Sequence, residues 1–188
     1  MILQEKYGDN ITDILEISIL NYSNNISNTN RFLTPNISYQ LFSKEMCNAI
    51  IEECQPFWND DINELSIRSN HNISSIAHHA LDCVIKKIQK IYNLHPDFEI
   101  KLDDYKLVRY TNTTDTNYYK DKSMITMTIH LSDPNDYVED NTDYFNQGDL
   151  LLTLGKIPKQ NPIIQEGIKY CLVGYIQFHI DDFDIISI

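Results

Sequence analysis

Hydrophobic positions recur at helical intervals in the first half of the chain and at alternate positions in the second. From Phe42 to Cys54 the apolar residues Phe42, Met46, Ala49, Ile50 and Cys54 fall three and four apart. Residues at that spacing share one face of a helix, so the segment is predicted to be helical. Ser43 stands where an N-cap hydroxyl would accept from an amide of the first turn, Glu45 suits the positive end of the helix dipole, and Pro56 closes the segment. A second stripe of Ala77, Ala80, Leu81, Val84, Ile88 and Ile91 predicts a helix from about Ser75 to Tyr92. Lys86, Lys87 and Lys90 lie on its solvent side and Asn93 stops it. From residue 104 the period becomes two. Tyr105 to Tyr110 reads as a strand, and Met124 to Leu131 sets Ile125, Met127, Ile129 and Leu131 against Met124, Thr126, Thr128 and His130. Gly148-Asp149 introduces the strand LLLTL, and Gly167 introduces a long strand from Ile168 to Ile180.

Helices followed by short strands, with connections too short for helical crossovers, predict an α+β fold built on an antiparallel sandwich or barrel. Ahead of these elements residues 1–40 are mixed: Ile11 to Leu20 suits a strand or short helix, and Tyr22 to Asn30 a surface loop. No repeat or linker divides the chain. It is expected to form one domain over residues 1–188, with an N-terminal extension (1–37), a helical support (38–103) and a β core (104–188).

Charge narrows the function. The 188 residues carry 27 acidic against 15 basic groups, a net charge of -12, which repels a phosphate backbone and argues against nucleic acid as a partner. No run approaches the ~18 apolar residues of a membrane span, and the start lacks the basic and apolar regions of a signal peptide. An intracellular, cytoplasmic protein with no membrane partner is expected. The heavy use of Ile, Asn and Lys reads as a coding bias toward A+T, as in large viruses and AT-rich protists; for a viral protein the compartment would be the host cytoplasm.

The obvious chemical motifs are missing. The five glycines form no phosphate loop, and no GxSxG occurs. Cys47, Cys54, Cys83 and Cys171 lack the paired spacing of a zinc site. Cys47 and Cys83 sit in apolar helical patterns, so reduced, core-filling thiols are expected. His79 with Cys83, and His78 with Asp82, share a helix face at i,i+4, but no HExxH supplies further ligands, and histidines on a polar face are expected. Residues 133–149 hold six carboxylates without the central Gly of a calcium loop, which predicts a solvated acidic loop.

Five segments read together are more informative. LFSKEMCNAIIEEC (41–54), DYKLVRY (104–110), NYYKDKSMITMTIHLSD (117–133), NQGDLLLTL (146–154) and EGIKYCLVGYI (166–176) occur in the order of corresponding pieces of another family. Over about residues 38–180 the chain resembles the iron(II)/2-oxoglutarate-dependent oxygenases of the prolyl 4-hydroxylase type. The resemblance implies a double-stranded β-helix, or jelly roll, with N-terminal helices packed on it. It implies that Tyr119-Lys120-Asp121 stands at the family's His-x-Asp pair, that Tyr110 ends a core strand, and that Lys169 is the basic residue that receives the far carboxylate of 2-oxoglutarate.

The chain departs from the family at its chemistry. Such enzymes hold iron with two His and one carboxylate. Here Tyr119 replaces the first His, and no His occurs from Leu131 to Ile168, where Lys159 is the nearest occupant of the distal position. A phenol with pKa ~10 is a poor iron(II) ligand, and an ammonium has no lone pair to donate. Asp121 and, on the following strand, His130 are the residues left that could touch a metal; a hydrogen-bonded or outward-facing His130 is the plainer reading. Lys169 either points into the barrel with Cys171, Val173 and Tyr175 or snorkels to solvent. The expectation is a degenerate prolyl-hydroxylase-like protein with no cofactor, acting by binding a protein or peptide partner or by imitating a hydroxylase. The alternative is an active dioxygenase using iron(II) and 2-oxoglutarate through atypical ligands.

Overall fold

The computed structural model describes residues 39–59, 62–66, 71–91, 98–112, 118–140, 145–155 and 157–180. The readings for Ile11 to Leu20, Tyr22 to Asn30 and Asn93 lie outside them.

Helix α1 (Lys44–Cys54) starts as its sequence predicts, with the Ser43 hydroxyl accepting from the Met46 amide at 3.2 Å. Its buried face is Cys47, Ile50 and Cys54. Met46 and Ala49 face outward instead, which corrects the predicted stripe. Neighbouring residues on a helix point about 100° apart, so a helix that buries Cys47 with Ile50 turns Met46 toward its flank. Helix α2 (His71–Ile91) opens before Ser75 and buries Ala77, Ala80, Val84 and Ile88. His78, His79, Asp82 and Cys83 are exposed, as expected for the histidines but not for Cys83, which stands one position before the buried Val84. Cys54 and Cys171 are buried with Cys47, and all four thiols are free.

Both helices pack on one face of a six-stranded antiparallel sheet. Its order is β1 (Tyr39–Gln40), β7 (Asp149–Leu154), β5 (Ile125–His130), β10 (Lys169–Ile180), β3 (Phe98–Tyr110) and β2 (Glu64–Ser66). Ile125, Met127, Ile129, Leu131, Leu150, Leu152, Leu172 and Ile176 form one core with the helices. The intervening residues of the same strands face the other way, where Val108, Cys171 and Val173 make a second cluster with Tyr110 and Tyr175. Two ribbons, β4 (Tyr118–Tyr119) with β8 (Lys159–Gln160) and β6 (Tyr137–Glu139) with β9 (Ile164–Gly167), complete the described part of the fold. The result is an α+β jelly roll with helices on its outer face.

Three expectations need correction. Strand β3 begins at Phe98 rather than Tyr105, because a bulge interrupts its alternation. Tyr175 opposes Asp104 and Ile176 opposes Leu102, making Asp103 the extra residue of the bulge. One extra residue reverses the parity, so Ile100 and Leu102 join Tyr105 and Leu107 on the helix-side face. The long C-terminal strand starts at Lys169, leaving Ile168 half-exposed between β9 and β10. Residues 133–149 are not a uniformly solvated loop either: they contain β6, and Asp149 is buried. No helix among the described residues is long and apolar enough to cross a membrane.

Candidate functional site

The sheet face turned away from the helices lines a cavity of about 750 Å³. Antiparallel pairing explains the convergence. Lys169 opposes Tyr110 across β10 and β3, Cys171 opposes His130 across β10 and β5, and Thr126 opposes Thr153 across β5 and β7. The β4–β8 ribbon adds Tyr119 and Lys159, and β6 adds Glu139. Tyr110, Tyr119, Asp121, Lys159 and Lys169 therefore line one cavity, together with His130. Thr126 and His130 lie four residues apart on β5, roughly 13 Å at the rise of a strand, so the cavity has two ends.

Asp121 dominates the first end. Its amide donates to the Gly155 carbonyl at 3.0 Å, and the Gly155 amide donates to the Met124 carbonyl at 3.0 Å. Gly155 is required by this close approach, since a Cβ there would overlap the Ser123 carbonyl oxygen. The carboxylate accepts from the Thr126 hydroxyl and is ion-paired with the Lys159 ammonium. Lys159 reaches it because it opposes Tyr119 in the β4–β8 register, its ammonium lying 5.7 Å from the centre of the Tyr119 ring. Burial, and then the Asp121 charge, push the Tyr119 phenol above its usual range, so it keeps its proton. Tyr110 is driven upward as well, by burial first and by Cys171 and Tyr119 after it.

At the second end Lys169 is buried, which removes the snorkelling alternative. Its ammonium meets the Glu139 carboxylate at 2.6 Å and lies 5.2 Å from the centre of the Tyr137 ring. His130 is also inside, which removes the outward-facing reading and keeps the hydrogen-bonded one. Its ring stacks on Phe145 at 4.2 Å, Nδ1 lies 3.9 Å from the Cys171 sulfur, and Nε2 is buried without a hydrogen-bond partner. Burial, with Lys169 as the lesser cause, lowers its pKa to about 3, so the imidazole is neutral at physiological pH.

Sequence reasoning passed over Glu139, Thr126 and Phe145. Glu139 is one of many acids in its segment, and the three-residue alternation Tyr137-Val138-Glu139 is too short to announce a strand. Thr126 carried a usable signal, since its alternation with Met124 and Thr128 already placed it opposite the apolar face. Among the described residues no three His, Cys, Asp or Glu side chains converge as a metal-ligand group. The charge of Asp121 is answered by Lys159.

No protein-family model and no curated protein sequence matches the chain. Solved structures do. The chain is similar to a truncated form of the viral collagen prolyl hydroxylase of Paramecium bursaria Chlorella virus-1, with 11% identity and a TM-score of 0.56, covering 80% of this chain and 96% of that one. It is similar to a Pseudomonas putida prolyl-4-hydroxylase, with 13% identity and a TM-score of 0.53, covering 85% and 98%. A 2OG-Fe(II) oxygenase family oxidoreductase from Burkholderia pseudomallei gives 10% identity and a TM-score of 0.58, covering 86% and 91%. The fold is that of the prolyl hydroxylase-like 2-oxoglutarate oxygenases, as the five sequence segments imply.

Proposed function

We propose that this chain uses the oxygenase fold for binding rather than for iron chemistry, engaging a protein or peptide partner as a degenerate relative of the hydroxylases. The observation that carries the reading is the ion pair between Lys159 and Asp121. Iron(II) in this fold needs two neutral imidazoles and a carboxylate with open positions beside them. The groups here are a protonated phenol, an ammonium and a carboxylate already bonded to both the ammonium and a threonine hydroxyl. An ammonium offers no lone pair and repels a divalent cation. Giving up the Asp121 carboxylate to a metal would leave Lys159 without the counter-charge it has among the described groups. The donor set therefore does not fit iron(II). The mouth of the barrel offers contact surface instead: Tyr118, next to Tyr119 on β4, is 71% exposed, and a tyrosine presents both apolar area and a polar tip to a partner.

Metal analysis of protein purified without chelator, paired with a 2-oxoglutarate turnover assay, tests the reading. Iron well below one equivalent and no succinate formation are expected. Near-equimolar iron that disappears in Asp121→Ala would overturn it. Tyr119→His alone should not recruit metal, because Lys159 still holds Asp121. Tyr119→His combined with Lys159→His should bind cobalt(II), read from its visible absorption.

A further inference from the structure

Lys169 and Glu139 form a buried ion pair whose partners come from different layers of the fold. The side chains are 6% and 10% exposed, against 22% and 24% for Lys106 and Lys159 in their own pairs. Lys169 opens β10, where alternation with Cys171, Val173 and Tyr175 turns it into the cavity whatever stands opposite. The main sheet thus supplies a buried cation, and a buried cation demands an anion. The anion comes from the last residue of β6, a three-residue strand whose register with β9 shifts at Val138 and Glu139. The remaining lysines lining the cavity are answered too, Lys106 by Glu64 and Lys159 by Asp121. His130, beside Lys169, is neutral. An incoming carboxylate meets no unpaired positive charge among the described groups lining the cavity, and the most deeply buried ammonium is already held by the chain itself.

We propose that the Lys169 end of the cavity is a carboxylate-binding site occupied by the chain's own Glu139, which keeps free dicarboxylates out of the barrel. Glu139 acts as a resident ligand. A small dicarboxylate gains the site only by displacing the end of β6, and removing the Glu139 carboxylate opens it. The proposal shares the barrel with the functional reading above but does not rest on it, since the metal position and the Lys169 end have separate partners.

Calorimetric titration with glutarate in the presence of EDTA isolates this claim. Glutarate lacks the keto oxygen through which 2-oxoglutarate would chelate a metal, so metal content does not enter the result. Native protein should show no binding. Glu139→Ala should bind glutarate at least about tenfold more tightly than native protein, and adding Lys169→Met should abolish the gain. Acetate, which matches the removed carboxylate, should raise the melting midpoint of Glu139→Ala and leave that of native protein unchanged. Native protein that binds glutarate as well as the variant does, or a folded Glu139→Ala with no gain, overturns the proposal. If Glu139→Ala fails to fold, Glu139→Gln replaces it, keeping the shape and withdrawing the charge; a folded Glu139→Gln with no gain in glutarate affinity overturns it equally.

Discussion

Protonating His130 would bury a charge in a desolvated wall and, as the lesser effect, set it near the Lys169 ammonium. The folded imidazole therefore stays neutral down to about pH 3, whereas an unfolded one takes its proton near pH 6.5. Between those values the unfolded chain binds more protons, so stability falls as pH falls below about 6.5, by up to about 1.4 kcal/mol for each pH unit. Urea denaturation at pH 6.5 and pH 5 should show native protein losing up to about 2 kcal/mol more than His130→Gln, which has nothing to titrate. Equal losses would show that the folded histidine protonates freely. The residue type and its place in the alternation were readable at His130. Its environment was not, because Cys171 reaches it from another strand and Phe145 from the segment ahead of β7.

At the scale of the element, period-two alternation located β5 and β10 well because both run without an internal break. It lost the first half of β3 because the bulge at Asp103 reverses inside and outside. The bulge lets one strand keep Ile100 and Leu107 on the same face, and no local pattern shows that such a correction has been made. Gly174 marks a constraint of the same kind. It faces the helix-side core, where a Cβ would lie 2.8 Å from Leu102 Cδ1 and 2.9 Å from Met127 Cε. Gly174→Val should overpack this layer and lower stability by about 1–3 kcal/mol, read from the urea midpoint. A neutral result would mean that Leu102 and Met127 swing aside.

At the scale of the whole molecule the main sheet is two surfaces with different purposes. One is sealed against α1 and α2, and the other is left partly open as a cavity. Adjacent leucines on β7 separate them: Leu152 is fully buried under the helices, and Leu151 borders the cavity. Leu152→Ala should cost about 2–5 kcal/mol of unfolding free energy, because a filled core closes poorly over a void. Leu151→Ala removes atoms that already face empty space on one side, so it should cost well under half as much. Equal costs in equilibrium denaturation would contradict the two-surface description.

The amino-acid sequence by itself determined the class of fold, both helices, the faces of β5 and β10 and the kinds of residue available for chemistry. The helices and strand faces rest on spacing within one segment, where side-chain direction follows from the backbone period, and the fold class on the order of those segments along the chain. Only the tertiary structure decided how those residues pair. Lys159 meets Asp121 through the β4–β8 register, and Lys169 meets Glu139 across two layers. Both contacts depend on where distant strands come to lie. Electrostatics acts over a few ångströms of space rather than along the chain, so which carboxylate neutralises which lysine is a property of the closed barrel.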